Sequence, residues 1–288
     1  LKKLSIVIPN LNSPVIDATI RGLENQTLSK DLFEVIVVGR DDLGLVHQND
    51  LVRFERTPEV MYPGQARNYG ATQSTGEILV FIDADCVPRL DWLKIIYARF
   101  TEADISILGG SVEISSDNIW TLTDNLSLFH EYLNIHPPGT RSLLASLNLA
   151  IRRAAFDRVS GFDDSLIASE DSDISIRLRQ AGYNLLFEPQ AAVHHIPPRS
   201  TLRGMLTHHY HQGKHSIKVD SRYENNGAFP RLLRKPWILI LFSLLLAAGA
   251  TLRIYRSSAI IRGYILLAPL IYVSKIAWCI GAAHHPAR

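Results

Sequence analysis

Three short runs with charge only at their edges, "LSIVIP" at 4–9, "FEVIVVG" at 33–39 and "EILVFID" at 77–83, decide what this chain can become. They are rich in β-branched residues and too uniformly apolar to form a sheet with one wet face. Such runs read as strands covered on both sides. A weaker run, "LVRFER" at 51–56, joins them. Between them lie helical stretches. One covers 14–26; another turns in at Pro63-Gly64, holds Ala66-Arg67-Asn68 and stops near Gly76. Strands separated by helices predict an α/β fold with a mainly parallel sheet flanked by helices.

The alternation continues. A helix is expected at 89–103, a strand in "SILGGSVEI" at 106–114, a helical stretch near 118–133 and a strand in "ASLNLAIR" at 145–152. Residues 169–182 start at Ser169, carry acids in the first turn and Arg177 and Arg179 near the end, and stop at Gly182, the charge order a helix dipole favours. "NLLFEP" at 184–189 returns to the sheet.

Hydrophobic residues make up 47 % of the 288, but the last fifth is far oilier than the rest. A net charge of +2 gives no support to nucleic-acid binding. Cys86 and Cys279 are isolated, so no disulfide framework is expected. Leu1-Lys2-Lys3 leads straight into a strand, without a signal-peptide pattern. Residues 199–235 are strongly basic; 236–252 carry no charge; 263–283 are apolar apart from Lys275. A spanning helix needs roughly 17–25 apolar residues. The two apolar segments predict a hairpin that spans or is re-entrant, or else a pair of buried core helices; the basic collar favours an anionic lipid surface.

The chemistry starts where "EILVFI" ends in Asp83-Ala84-Asp85. Ligands of open α/β sheets sit at the carboxyl ends of strands. Alternation sends both carboxylates the same way, with Ala84 opposite. Two hard oxygen donors there suit a divalent cation that neutralises a diphosphate. In isolation such a pair is more simply a helix cap and a turn residue.

Its company changes the reading. "SIVIPNLN" (5–12), "VIVVG" (35–39), "GQARNYGATQSTGEILVFIDADCVP" (64–88), "NLAIRRAAFDRVSGFDDSL" (148–166), "SEDSDISIRLRQAGY" (169–183) and "AAVHH" (191–195) occur in this order. Together they resemble the inverting family 2 glycosyltransferases, whose nucleotide-sugar-binding fold is called GT-A. The resemblance covers about the first two hundred residues. It implies a GT-A catalytic domain at 1–199; the composition beyond it is read as a basic juxtamembrane segment at 200–235 and a helical hairpin, transmembrane or re-entrant, at 236–288.

The resemblance also implies roles. Pro9 and Asn12 would line the base and ribose pocket, and Arg67 would help bind the nucleotide. Asp83 would contact the ribose or the metal. Asp85 would bind Mg2+ or Mn2+, with His195, or its neighbour His194, completing the contacts. Glu170 would shape the acceptor pocket, and Asp171 would be the base that inverting transfer requires. A carboxylate in a helix first turn is stabilised as the anion, so Asp171 is expected to work through position, not through a raised pKa.

Relatives often end the second strand in an Asp-Asp-Gly-Ser type sequence; here it is Gly39-Arg40-Asp41-Asp42, which leaves Asp41 and Asp42 both as candidates for the base contact. No GK[ST] loop and no G-x-G-x-x-G follows the first strand, which argues against a phosphate-cradling loop and a nicotinamide dehydrogenase. The absence of Q-x-x-R-W favours single transfers over chain extrusion. "HHYHQGKH" at 208–215 could place His208, His211 and His215 on one helix face as a zinc site; a polar face near lipid headgroups is the simpler reading.

The expected activity is therefore sugar transfer from a nucleotide sugar (UDP- or GDP-linked) to a membrane-delivered acceptor, lipid-linked and offering a hydroxyl or, alternatively, a polyprenyl phosphate. The donor places the enzyme at the cytoplasmic face of the membrane. A nucleotidyltransferase would want a glycine- and lysine-rich loop that "NLNSPVID" (10–17) lacks, and a non-catalytic scaffold would not need Asp83, Asp85 and Asp171.

Overall fold

The computed structural model describes residues 2–114, 118–223 and 235–284. The chain divides into two compact units, Leu1–Glu113 with Pro137–Pro198, and Ile114–His136 with Arg199–Arg288.

The first unit begins with β1 (Leu4–Leu11), α1 (Ile16–Glu24), β2 (Phe33–Arg40), β3 (Val52–Arg56), α2 (Pro63–Thr72) and β4 (Ile78–Ile82). Next come β5 (Cys86–Pro88), α3 (Trp92–Glu102) and β6 (Ile107–Val112). The second unit takes α4 (Ile119–Phe129). The first unit resumes with β7 (Gly139–Thr140), β8 (Asn148–Arg152), α5 (Arg153–Arg158), α6 (Glu170–Gln180) and β9 (Leu186–His195).

Among the described residues the strands form one nine-stranded sheet, ordered β3-β2-β1-β4-β8-β6-β9-β5, with β7 on β9. The strands expected from the opening runs are parallel, Leu4 pairing with Phe33 on one side and Ile78 on the other. The other half is mixed: β8 runs antiparallel to both β4 and β6, while β6 and β9 are parallel. All five residues of β4 are buried, as its sequence requires. α2 lies close on β1 and β2, because Gly70 has no side chain to hold it off: a Cβ there would run into Val7 and crowd Val38. Phe81 packs edge-on against Phe162, with ring centroids 5.2 Å apart, and at 5.6 Å from Phe156. Each such buried ring contributes about 1.5–3 kcal/mol through the area it removes from water.

The last strand departs from expectation. A stop at Pro189 is what its missing N–H suggests, yet β9 continues to His195. The ladder skips instead: Gly110 pairs with Glu188, and the next residue, Ser111, pairs with Ala192. The carbonyls stranded by the skip find side chains. Ser111 Oγ donates to Pro189 O at 2.7 Å, and the buried Asn148 amide donates to Ala191 O at 2.8 Å and to Ser111 O at 3.0 Å. Trp92 Nε1 in turn donates to Asn148 Oδ1 at 3.0 Å. Proline is accommodated at this bulge because no ladder bond is asked of it.

The second unit adds to α4 the helices α7 (Leu202–Arg222), α8 (Pro236–Leu241), α9 (Ser243–Ser257), α10 (Ala259–Arg262) and α11 (Ala268–Ala283). The expected apolar helix at 236–252 is broken at Phe242, and α9 runs on past Arg253 and Arg256. Of the expected two-helix hairpin, one helix among the described residues, Ile265–Ala283, has the length and composition to cross a membrane. His209, from the histidine-rich stretch, is wholly buried and pairs with the buried Asp124 at 3.0 Å, which also takes Arg199 at 2.8 Å. Burial by itself would raise the Asp124 carboxyl, but these two partners hold it well below the carboxylate range.

Candidate active site

The end of β4 delivers the first acids. Asp83 and Asp85 are partly exposed, while Ala84 between them is buried. The Ala84 carbonyl accepts from Ser13 Oγ at 3.2 Å and Thr19 Oγ1 at 3.1 Å, which ties the turn to β1 and α1. The turn closes when Cys86 N donates to Asp83 O at 3.1 Å.

Arg67 links this turn to the second acidic motif. It leaves α2 fully buried, donates from one arm to Asp83 Oδ1 at 2.6 Å and from the other to Glu170 Oε1 at 2.5 Å, and lies over the Phe162 ring. Gly64 of α2 lies against the Glu170 stem and Phe162; a Cβ there would meet both at 3.4 Å, in ordinary contact. The expectation that Arg67 helps bind the nucleotide thus meets a guanidinium whose two arms are engaged by carboxylates. Its contribution to a ligand would pass through them. Burial pushes the Asp83 carboxyl up and Arg67 pulls it back; the Asp85 charge adds to the rise.

Asp171 stands beside Glu170 in the first turn of α6, after Ser169 in left-handed backbone (φ 62°). Ser172 N donates to its Oδ1 at 2.7 Å. Burial, then the neighbouring Glu170, push its carboxyl from 3.8 up to about 7. The direction is opposite to that expected of a carboxylate in a helix first turn: burial and the like charge of Glu170 work against the helix terminus.

β9 supplies the other side. Cys86 and His195 face each other across the antiparallel β5–β9 pair. His195 is buried, with Nε2 3.7 Å from Asp85 Oδ2. Ligand atoms of Asp85, Cys86 and His195 all lie within 4.8 Å of one another, the one such group among the described residues. His194 pairs with Val87 one place along. The carboxylate oxygen suits a hard cation of the Mn2+ or Mg2+ type, while the imidazole nitrogen suits a softer divalent ion such as Zn2+ or Fe2+; Mn2+ is the ion of the first pair that accepts both. The Cys86 thiol, pushed well up by burial first and the acids second, adds a neutral sulfur. Cys86 was not a candidate from sequence; its place directly after the second aspartate was the available signal.

The nucleotide-side candidates separate. Asp41 is buried and accepts the amides of Leu45 and Val46 at 3.1 and 2.8 Å, which makes it the brace of its loop. Asp42 is exposed and forms a reciprocal pair with Asn12: Asn12 Nδ2 donates to Asp42 Oδ2 at 2.9 Å, and Asp42 N donates to Asn12 Oδ1 at 2.7 Å. Asn12 holds a left-handed φ of 55° to do so, beyond the half-buried Pro9. Asn12 and Asp42 thus form one polar rim at the ends of β1 and β2.

Comparison with known proteins converges on one family. The model described as Glycosyl transferase family 2 matches residues 5–160. The glycosyltransferase AglE of Haloferax volcanii is 27 % identical over 227 residues, covering 75 % of this chain and 73 % of AglE. The pre-mycofactocin glycosyltransferase of Mycobacterium tuberculosis is 26 % identical over 239 residues, 79 % of this chain, which spans about half (49 %) of that protein. Among solved structures, the mannosyltransferase PcManGT of Pyrobaculum calidifontis, in complex with GDP-Man and Mn2+, superposes with a TM-score of 0.62 at 18 % identity, over 98 % of this chain and 86 % of PcManGT.

Proposed function

The chain belongs to glycosyl transferase family 2, and from that premise we propose an inverting, metal-dependent transfer of a sugar from a UDP- or GDP-linked donor to a membrane-delivered acceptor. The observation that carries this reading is Arg67, which ties the donor-side acid Asp83 to the acceptor-side acid Glu170 in one buried network.

Asp85 and His195, with Asp83 nearby, would hold the cation; when bound, it supplies charge neutralisation for the departing diphosphate. Asn12 and Asp42 form the rim suited to the ribose and base. Asp171 accepts the proton of the acceptor hydroxyl as that oxygen bonds to the anomeric carbon. The bond from carbon to the phosphate oxygen breaks on the opposite face, and its electron pair leaves with the nucleoside diphosphate. A carboxyl at about 7 is matched to this task, because at neutral pH it is substantially ionised yet basic enough to take the proton. Glu170, fixed by Arg67, stands beside it in the first turn of α6. A base at this place favours a hydroxyl acceptor over a phosphate, which needs none.

We assign catalysis to residues 1–199 and anchoring to 200–288, with α4 contributed to the C-terminal unit, and place the enzyme at the cytoplasmic face of the membrane. That PcManGT was solved with GDP-Man and Mn2+ supports both donor class and metal. The test is transfer from a panel of UDP- and GDP-sugars with Mn2+, using Asp85→Ala as the control. Activity retained in that variant, or with no nucleotide sugar in the panel, overturns the reading.

A further inference from the structure

α11, with the turn before it, is the segment that hydropathy alone would send across a bilayer, at a mean hydropathy of 1.8 over Ile265–Ala283. Its packing argues otherwise. α11 lies along α7, and the two backbones touch: a Cβ on Gly213 would strike the Trp278 carbonyl, and one on Gly281 would strike that of Tyr210. α7 carries Arg203, His208, His209, His211 and Lys214, a load that hydrocarbon does not accept. On another side, Lys275 donates to Ser127 O at 2.7 Å and Ser274 pairs with Ser127 at 3.0 Å, which fastens α11 to α4. In this packing, α11 would carry the charged α7 with it across the bilayer.

The lipid-compatible surface lies elsewhere in the same unit. Along α8 and α9, Trp237, Leu241, Leu244, Leu245 and Leu252 recur at helical spacing and are exposed, Leu245 by 70 %. The opposite face, Ile238, Leu239, Ala247 and Ile254, is buried. An apolar stripe turned outward over four turns is too large to be incidental. Leu266, 90 % exposed in the Ile265–Leu267 turn, is a further outward apolar side chain of this unit. From Lys235 to His284 there are five lysines and arginines and no Asp or Glu. Lys235 lies at one end of the stripe, Arg253 and Arg256 at the other, and all are exposed. A second copy of this face would bring like charges together; an anionic leaflet complements it.

We propose that the C-terminal unit is an in-plane anchor: the α8–α9 stripe and Leu266 sink into one leaflet of an anionic bilayer, and α11 stays on the same side as α7. This rests on the membrane-associated part of the reading above and replaces the spanning hairpin with a monotopic one.

The test uses the full chain synthesised in the presence of vesicles of phosphatidylglycerol and phosphatidylcholine, a setting open to either arrangement. Flotation reports association. Ser257→Cys and His284→Cys, at exposed positions on either side of α11, report topology through a membrane-impermeant maleimide; wild type, with Cys86 and Cys279 buried, gives the background. The expected result is flotation, labelling of both positions without permeabilisation, and a loss of about tenfold or more in vesicle partitioning for Leu244→Glu/Leu245→Glu, since each charge must enter the apolar layer. That variant alters exposed positions, and an unchanged melting temperature confirms its fold. Flotation with one position protected until detergent is added means that α11 spans, and overturns the proposal while leaving membrane association intact. Absence of flotation, with a dimer that Leu244→Glu/Leu245→Glu dissolves, gives the face to a second copy and overturns both, leaving the transferase reading to its own assay.

Discussion

Asp83, at the end of β4, and Glu170, in the first turn of α6, are 87 positions apart in sequence and take opposite arms of one buried guanidinium, that of Arg67. Removing that guanidinium leaves two acids facing each other without a cation. Arg67→Met should lower stability by about 3–5 kcal/mol, the range for breaking a buried pair from one side, and abolish transfer. Arg67→Lys should not rescue it, because an ammonium cannot fork to two carboxylates in fixed directions. Chemical denaturation and initial rates measure both; wild-type behaviour of the lysine variant would contradict the bridging role.

With Asp171 as the proposed base, its carboxyl should set the pH dependence. Its carboxyl is raised to about 7 by burial and Glu170, so it is protonated, and useless as a base, in mildly acidic solution. kcat/KM should climb about tenfold per pH unit below that point and level off above it. The stability consequence has the opposite sense. A carboxyl raised from 3.8 in the unfolded chain costs stability above pH 7, and the cost fades as pH falls from about 7 towards 4. Asp171→Asn should therefore be inactive yet melt higher than wild type at pH 8, with no such advantage at pH 4. A variant that melts lower at pH 8 would mean the carboxylate is not strained there.

Metal dependence should divide between Asp85 and His195, whose side chains stand 3.7 Å apart. Exhaustive chelation should abolish transfer, and Mn2+ should restore it. His195→Ala should raise the Mn2+ concentration needed for half-maximal rate by about tenfold to a hundredfold, and Asp85→Ala by more, because the carboxylate supplies charge as well as a donor. Titration of rate against Mn2+ reads this directly; chelator-resistant transfer would remove the cation from the mechanism.

Asn148 braces the bulge between β6 and β9 from the interior. Its side chain bonds Trp92, Ser111 and Ala191 in the interior. Asn148→Leu keeps the volume and strands three polar groups, so a loss of about 2–4 kcal/mol is expected; because β9 carries His195, the proposed metal ligand, Mn2+ affinity should weaken with it. Thermal melts and Mn2+ binding check the pair of effects.

Much of this was legible in the sequence because it follows local rules. The buried runs at 4–9, 33–39 and 77–83 specify their strands without help, and Ser169 to Gly182 carries its own start, charge order and stop. What escaped depends on contacts distant in sequence. Pro189 ends a strand in isolation, and only Asn148 and Ser111, arriving from other strands, let β9 continue. The three residues of β5 have no strand signal until β9 offers a partner. Asp171 was expected to be a stronger acid because its helix was weighed alone; Glu170 and burial were not yet in the balance. The separation of Asp41 from Asp42 likewise required the amides of Leu45 and Val46.

The skipped ladder in β9 also sets which length changes this protein tolerates. Side chains alternate along a strand, so one residue added or lost between Glu188 and Ala192 turns every later side chain to the opposite face. An added residue would carry His194 into the place His195 now occupies; a lost one would bring Ile196, which binds no cation. On the proposed cation site the doubled histidine is thus a one-sided spare: with one residue more this hinge of the sheet would still present an imidazole to Asp85, and with one fewer it would not.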